Sequence, residues 1–312
     1  MLINDLREES LKLKIAGVVI LLQSKFRMDE LIEDKKGELS FRRFKSFVYQ
    51  GHAPADITIK INVCPKLPEV LEKKVLFVSY HPEDDSENWR LIKHGVGMVY
   101  RCVVPNKNQL YYINPGFNKV EGYLLSRFDN QLTWQAGDVI YDFIQVLLIN
   151  YLALHKKGFI VHSVGIKDPD GRGLLFPGES GAGKSTMARL WDKHSRGSVL
   201  NDDRVIVRKD KKGFFICGTP WHGDFHDYLG TRIEEVRVSR LLFIYHSPVN
   251  TAKPVLPGEA FRLLYPSLFP TFWSRKLLGE LISLSMGFVN STQSFRLGFV
   301  KSKSVIGFIR EL

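Results

Sequence analysis

Nine consecutive residues, Gly178, Glu179, Ser180, Gly181, Ala182, Gly183, Lys184, Ser185 and Thr186, carry the sharpest chemical signal in the chain. They fit the pattern G-x-x-x-x-G-K-[ST] and sit where an apolar strand ends and a helix begins. Glycines let successive backbone N–H groups turn inward on phosphate oxygens, and the helix N-terminus adds partial positive charge. Lys184 then reaches the terminal phosphates and Ser185 ligates Mg²⁺. The nine are the candidate nucleotide-binding residues. The pattern is specific for phosphate, but it does not choose between ATP and GTP, nor between hydrolysis, transfer and binding alone.

Seventeen residues beyond Ser185, a short apolar strand delivers Asn201-Asp202-Asp203-Arg204. Neighbouring residues on a strand point to opposite faces, so both carboxylates face the phosphates only where the strand is already ending in a turn. One acid then holds Mg²⁺ or its water while the other accepts a hydrogen bond from an attacking hydroxyl. The competing reading is a solvated hairpin turn with Asp203 paired to Arg204. His162, in Val161-His162-Ser163-Val164-Gly165, precedes Gly178 by sixteen residues on the strand leading towards the loop. A histidine inside an apolar strand serves either as a core residue or as a catalytic group.

Taken together, the histidine strand, the loop GESGAGKST and the segment VLNDDRV resemble the catalytic domain of the HPr serine kinase/phosphorylase family. That family's loop reads G-[DE]-S-G-x-G-K-S and its acidic motif D-D-R; the match covers roughly residues 155–220. The resemblance implies a P-loop kinase domain with a mixed sheet, related to ATP-type phosphoenolpyruvate carboxykinases. It further implies ATP and Mg²⁺ as cofactors, with Lys184 on the transferred phosphoryl oxygens and Ser185 and Asp202 at the metal. Asp203 falls at the family's proton acceptor and His162 near its histidine, so His162, Lys184, Asp202 and Asp203 are the candidate catalytic residues. Where the bifunctional enzymes carry E-[IV]-R-G-[LI]-G, this chain has Cys217-Gly218-Thr219-Pro220-Trp221-His222-Gly223-Asp224-Phe225. The resemblance therefore does not extend to the reverse, phosphorylase reaction. The 218–224 loop is similar to that of HPr-kinase-related proteins outside sugar regulation, some of which resemble serine kinases of ribosomally made peptides. His222 and Asp224 are further candidates at the nucleotide or metal, and Arg262 a candidate for the family's C-terminal arginine. The family also implies a homo-oligomer.

The elements that must position these groups are read from periodicity and turn residues. Residues 15–22 and 57–63 read as strands, the second from its period of two, and further strands are expected at 75–80, 97–104, 109–113 and 122–126. Residues 1–130 therefore form a β-rich α+β region of unknown role, and 131–312 an α/β catalytic domain. In the second part, 138–155 is expected as a buried helix. Strands are expected at 159–166, 174–177 and 240–246, a hairpin at 204–208 and 213–217, a helix at 272–286 and a strand at 295–300. No repeat or low-complexity tract is visible.

Hydrophobic residues make up 44% of the 312 and charged residues 25%, which excludes a collagen, a disordered chain and a disulfide miniprotein. Lysine and arginine number 44 against 33 acids, a formal charge of +11 that attracts polyanions or acidic partners. The interleaved Phe41-Arg42-Arg43-Phe44-Lys45-Ser46-Phe47 could serve single-stranded nucleic acid, but phenylalanines every three residues suit a core-facing helix better. No nucleic acid is expected as partner. Cys64, Cys102 and Cys217 have no metal-ligand spacing and read as buried thiols of a reduced compartment. No export signal and no span of ~20 apolar residues stands out, so the expectation is a cytoplasmic protein without membrane contact. The function expected is an ATP- and Mg²⁺-dependent kinase acting on a hydroxyl, a serine of a protein or peptide. A small-molecule kinase or carboxykinase-like enzyme and a non-catalytic nucleotide-binding module are the alternatives.

Overall fold

The computed structural model describes residues 9–25, 45–81, 84–104, 109–125, 142–179, 181–221, 223 and 234–312. It is a mixed α/β structure, mostly strands, with two mixed sheets. The chain divides into two compact units, Met1–Tyr151 and Leu152–Leu312. The expected division near residue 130 falls outside the described residues. Among the described residues no helix is long and apolar enough to cross a membrane.

The first unit holds an eight-stranded sheet in the order β1-β2-β3-β8-β7-β6-β5-β4. Its strands are β1 (Glu9–Ile15), β2 (Val18–Ser24), β3 (Ile57–Cys64), β4 (Val75–Tyr80), β5 (Glu87–His94), β6 (Gly97–Cys102), β7 (Gln109–Ile113) and β8 (Lys119–Leu125). β2, β3 and β8 run parallel at its centre and the flanking pairs are antiparallel. The single strand expected at 15–22 is in fact a hairpin corner. Ala16 and Gly17 adopt φ of 50° and 81°, the left-handed pair that a two-residue turn between twisted strands requires. β5 escaped sequence reading because ENWRLIKH has only one β-branched residue; its neighbours and the ion pairs of Arg90 with Glu72 and Glu87 hold it extended. Phe47 is buried, as a core role for the aromatic run requires, whereas Phe41 and Phe44 lie outside the described residues. Helix α1 (Ile144–Leu154) follows Phe143, whose ring stacks on Tyr111 at 3.7 Å.

The second unit is built on β9 (Gly158–Lys167), β10 (Gly173–Pro177), β11 (Ser198–Asn201), β12 (Arg204–Asp210), β13 (Gly213–Cys217), β14 (Glu235–His246), β15 (Thr251–Pro254) and β16 (Gln293–Phe299). Their order is β10-β9-β12-β13-β14-β16-β15, with β11 beside β9. β10 also pairs in parallel with β14, so the pairings close a ring, and β14 runs parallel to β16. Alternate side chains of the same strands enter two cores. Leu175, Leu241 and Phe243 pack with Leu264 of α3 (Pro257–Leu264) and with Leu281, Leu284 and Phe288 of α4 (Arg275–Ser291). Leu174, Phe176, Leu242 and Ile244 pack on the other face with Met187 and Trp191 of α2 (Lys184–His194). Val305, Ile306 and Ile309 of α5 (Ser304–Glu311) join them. Helices thus cover both faces, the arrangement that lets parallel strands be apolar on both sides. β15, α3 and α5 carried no sequence signal strong enough to be expected. The cysteines are free thiols, with Cys102 and Cys217 buried and Cys64 only partly so.

Candidate functional site

The glycine loop leaves the C-terminal end of β10 and feeds directly into α2. Gly181 and Gly183 adopt φ of 81° and 99°, a region L side chains rarely enter. At Gly183 space is also closed, because an added Cβ would lie 2.7 Å from Phe299 Cζ and 2.9 Å from His246 Cε1. Those residues end β16 and β14, whose parallel course brings their C-terminal ends to the same edge as the loop. Gly183 is also the N-cap of α2 and supplies no side-chain cap, so the first amides of the helix point towards the loop. Lys184 bends back over the loop and its Nζ donates to the carbonyls of Gly178 at 2.7 Å and Glu179 at 2.9 Å. Ser185 and Thr186 occupy the first turn of α2, and Ser180 lies outside the described residues.

β9 carries the rest of the site. Pro177, the last residue of β10, pairs with Ser163, so His162 lies just beyond the end of that strand, where the glycine loop begins. On its other edge β9 pairs first with β11, through Asn201 and Gly165, and then with β12, through Arg204 and His162. Asp202 and Asp203 form the interruption between these two strands. The register continues across it, and Ser163 N donates to Asp203 O at 2.9 Å. The one register shift in this stretch falls at Leu200, between Val199 and Asn201. His162 Nδ1 lies 2.6 Å from Asp203 Oδ1, and Arg204 Nε lies 3.2 Å from Asp203 Oδ2 as an ion pair without hydrogen-bond alignment.

The competing reading, an Asp203–Arg204 pair, is realised in part. Asp203 does pair with Arg204, but its side chain is only 16% exposed and is not a solvated turn residue. Burial pushes its carboxyl upward, and the hydrogen bond from His162 with the charges of Arg204, His162 and Lys184 outweighs this, so its pKa falls below the ordinary carboxylate value. The same proximity acts on Lys184. Burial lowers its pKa, and the charge of Asp203 opposes the shift. The charges of Lys184 and Asp203 thus act on one another. Asp202 is 4% exposed, and its Oδ1 accepts from Gly223 N at 3.0 Å.

Sequence reasoning missed the residue that shapes this turn. Asn201 is fully buried, and its Oδ1 accepts from Asp203 N and Arg204 N, both at 2.8 Å. Its Nδ2 donates to Thr219 O and Oγ1, both at 3.1 Å, and to Trp221 O. Thr219 Oγ1 in turn donates to Arg204 O at 2.5 Å. One amide therefore ties the acid turn to the loop after Gly218. A buried asparagine beside the acids was the available signal, since its donors and acceptors must all be met internally. Of the remaining candidates, Arg262 stands exposed on α3, and His222 and Asp224 lie outside the described residues.

Among the described residues no three His, Cys, Asp or Glu side chains gather as a metal site. A Mg²⁺ shared with phosphates needs only one or two protein ligands. A separate cleft of about 880 Å³ in the first unit is lined by Lys60, His94, Tyr112 and Lys119 among others and by none of these site residues. No family model matches the chain, and no curated protein matches it.

Proposed function

We propose that the protein is an ATP- and Mg²⁺-dependent kinase that transfers the γ-phosphoryl group to a serine hydroxyl of a protein or peptide, on a P-loop domain of the HPr-kinase-like type. One observation carries this reading: the Asp203 carboxylate, 16% exposed, is held 2.6 Å from His162 Nδ1 at the point of β9 where the glycine loop leaves β10. A module that only binds nucleotide needs the glycine loop and the lysine. It has no use for a second, desolvated carboxylate oriented by a histidine.

In this reading the amides of Gly178, Gly181 and Gly183 and the start of α2 cradle the β- and γ-phosphates. Lys184 exchanges its carbonyl partners on Gly178 and Glu179 for phosphoryl oxygens, a better match for an ammonium already short of water. The donor set suits a hard cation, since Ser185 offers a hydroxyl and Asp202 a carboxylate with one oxygen engaged by Gly223. Mg²⁺, when bound, neutralises charge on the phosphate oxygens. Asp203 accepts the hydrogen bond of the acceptor hydroxyl and aims its lone pair at phosphorus. In a loose transition state the proton leaves late, so a carboxylate of low pKa serves as well as a stronger base. His162 keeps that carboxylate in one rotamer.

The test is incubation of the full chain with ATP, Mg²⁺ and serine-containing peptides, followed by mass measurement. Addition of one phosphate that requires Lys184 and Asp203 supports the reading. Tight ATP binding without hydrolysis or transfer under any of these conditions overturns it in favour of a nucleotide-binding module.

A further inference from the structure

β10 has a strand on each edge, and the two bring different groups to the glycine loop. β9 lies on one edge, through Pro177 and Ser163, and carries His162, the partner of Asp203. β14 lies on the other, in parallel, through Leu175 and Leu241. It is the longer strand and continues where β10 stops. A Cβ on Gly178 would lie 3.5 Å from Ile244 Cγ1, and one on Gly183 would lie 2.9 Å from His246 Cε1. Ile244 and His246 therefore run beside the loop, on the edge opposite the acid turn.

His246 is the last residue of β14, and its register partner on β16 is Phe299. The buried ring of Phe299 lies 5.4 Å from the imidazole between centroids. Phe299 and the backbone of Gly183 thus back the imidazole from within the fold, yet the residue is exposed. Among the described residues no hydrogen bond or ion pair engages it. The backbone around it is tied down: Ser247 N donates to Phe299 O at 3.2 Å, and Asn250 Oδ1 accepts from Val300 N at 2.9 Å. Asn250 Nδ2 also donates to Ser304 Oγ at 3.1 Å. An aromatic ring held from behind, open in front and with its nitrogens unspent suits a flat heteroaromatic group.

We propose that the nucleoside of the bound nucleotide leaves the loop at the β14 edge and that its base rests on His246. The inference rests on the kinase reading and assigns that site a nucleoside-binding residue. With the γ-phosphoryl group turned to Asp203 at the β9 edge, the α-phosphate and the nucleoside are left to the opposite edge. Every base has a π-face, so stacking on the imidazole adds affinity for a nucleotide and none for bare phosphate.

Calorimetric titration of the full chain in Mg²⁺ with a nonhydrolysable ATP analogue and, separately, with inorganic tripolyphosphate tests this. His246→Ala should weaken the ATP analogue about tenfold and tripolyphosphate less than about twofold. His246→Phe keeps an aromatic face and should stay within about threefold of wild type for both. Retained tripolyphosphate affinity shows that the loop of each variant is folded. An unchanged affinity for the ATP analogue in His246→Ala overturns the proposal. An equal loss for both ligands also overturns it, by placing the imidazole on the phosphates, and so does a loss in His246→Phe as large as in His246→Ala. Transfer to a peptide serine is read separately by mass. A loss confined to the ATP analogue, with no transfer by the wild type, strikes the kinase reading and upholds the nucleoside contact; transfer with unchanged affinities does the reverse.

Discussion

His162 and Asp203 join side chain to side chain, Nδ1 to Oδ1 at 2.6 Å, across neighbouring strands whose backbones are also bonded through Ser163 N and Asp203 O. Two contacts at one point of the sheet leave the carboxylate little freedom. It is aimed before any ligand arrives, and pre-organisation of this kind is what phosphoryl transfer, with little covalent chemistry of its own, draws on.

Asp203→Asn should lower phosphoryl transfer by about a thousandfold while ATP affinity changes less than about threefold, since the amide keeps the shape and loses the acceptor charge. His162→Ala should cost less, about tenfold, because the histidine orients the acid and does not meet the hydroxyl. Turnover with labelled ATP and equilibrium ATP binding on the same preparations check both.

The depressed pKa of Asp203 also sets a pH dependence of stability. A carboxylate whose folded pKa lies below its unfolded value contributes stability above the unfolded pKa, about 4, and loses it as pH falls through the folded value. Urea midpoints of wild type and Asp203→Asn should therefore differ by a constant amount above about pH 5 and converge below about pH 4. A difference that widens on acidification would contradict the pairing.

Two glycines of the loop should respond differently to alanine. Gly181→Ala meets open space and bears only the left-handed backbone strain, about 1–2 kcal/mol. Gly183→Ala adds overlap with Phe299 and His246, a further 1–3 kcal/mol or so, and displaces the loop. Thermal melts rank the two, and nucleotide affinity should fall much further in Gly183→Ala.

Asn201→Ala removes both ends of the link between the acid turn and the 219–221 loop and leaves buried groups of Thr219, Trp221, Asp203 and Arg204 without that partner. A loss of about 3 kcal/mol or more is expected in chemical denaturation. Asn201→Asp keeps the acceptor for both turn amides but sets a carboxylate against two carbonyls, so its deficit should shrink when the pH is lowered.

Burial pushes the Cys217 thiol up to about 12, and burial raises Cys64 as well. The thiolate is the reactive form, so at pH 8 Cys217 should react with a disulfide reagent many-fold more slowly in the native chain than in guanidinium. A kinetic trace of released thiolate reports this directly.

The local rules were legible where residue type alone decides conformation. The glycine loop, the helix after it, the hairpin over β12 and β13 and the alternating strand β3 follow from positive-φ glycines, a helix start and a period of two. Where neighbours decide, the reading failed. Residues 15–22 look like one apolar strand until Ala16 and Gly17 turn it, β5 is a strand only because β4 and β6 flank it, and α3 and α5 are short helices defined by the face they bury.

What the chain determined by itself was the chemistry on offer: amides free to converge on phosphate, one lysine, one serine, two adjacent acids and a histidine, each recognisable because its side chain or its missing Cβ has one evident use. Only the tertiary structure decided how they meet. The register that sets Arg204 opposite His162, the contact of His162 with Asp203, the amide of Asn201 that accepts from the Asp203 N–H and the bridge of Leu268 to Val161 all depend on residues distant in sequence. Their contact energies exist only once the sheet has formed, so no local pattern announces them.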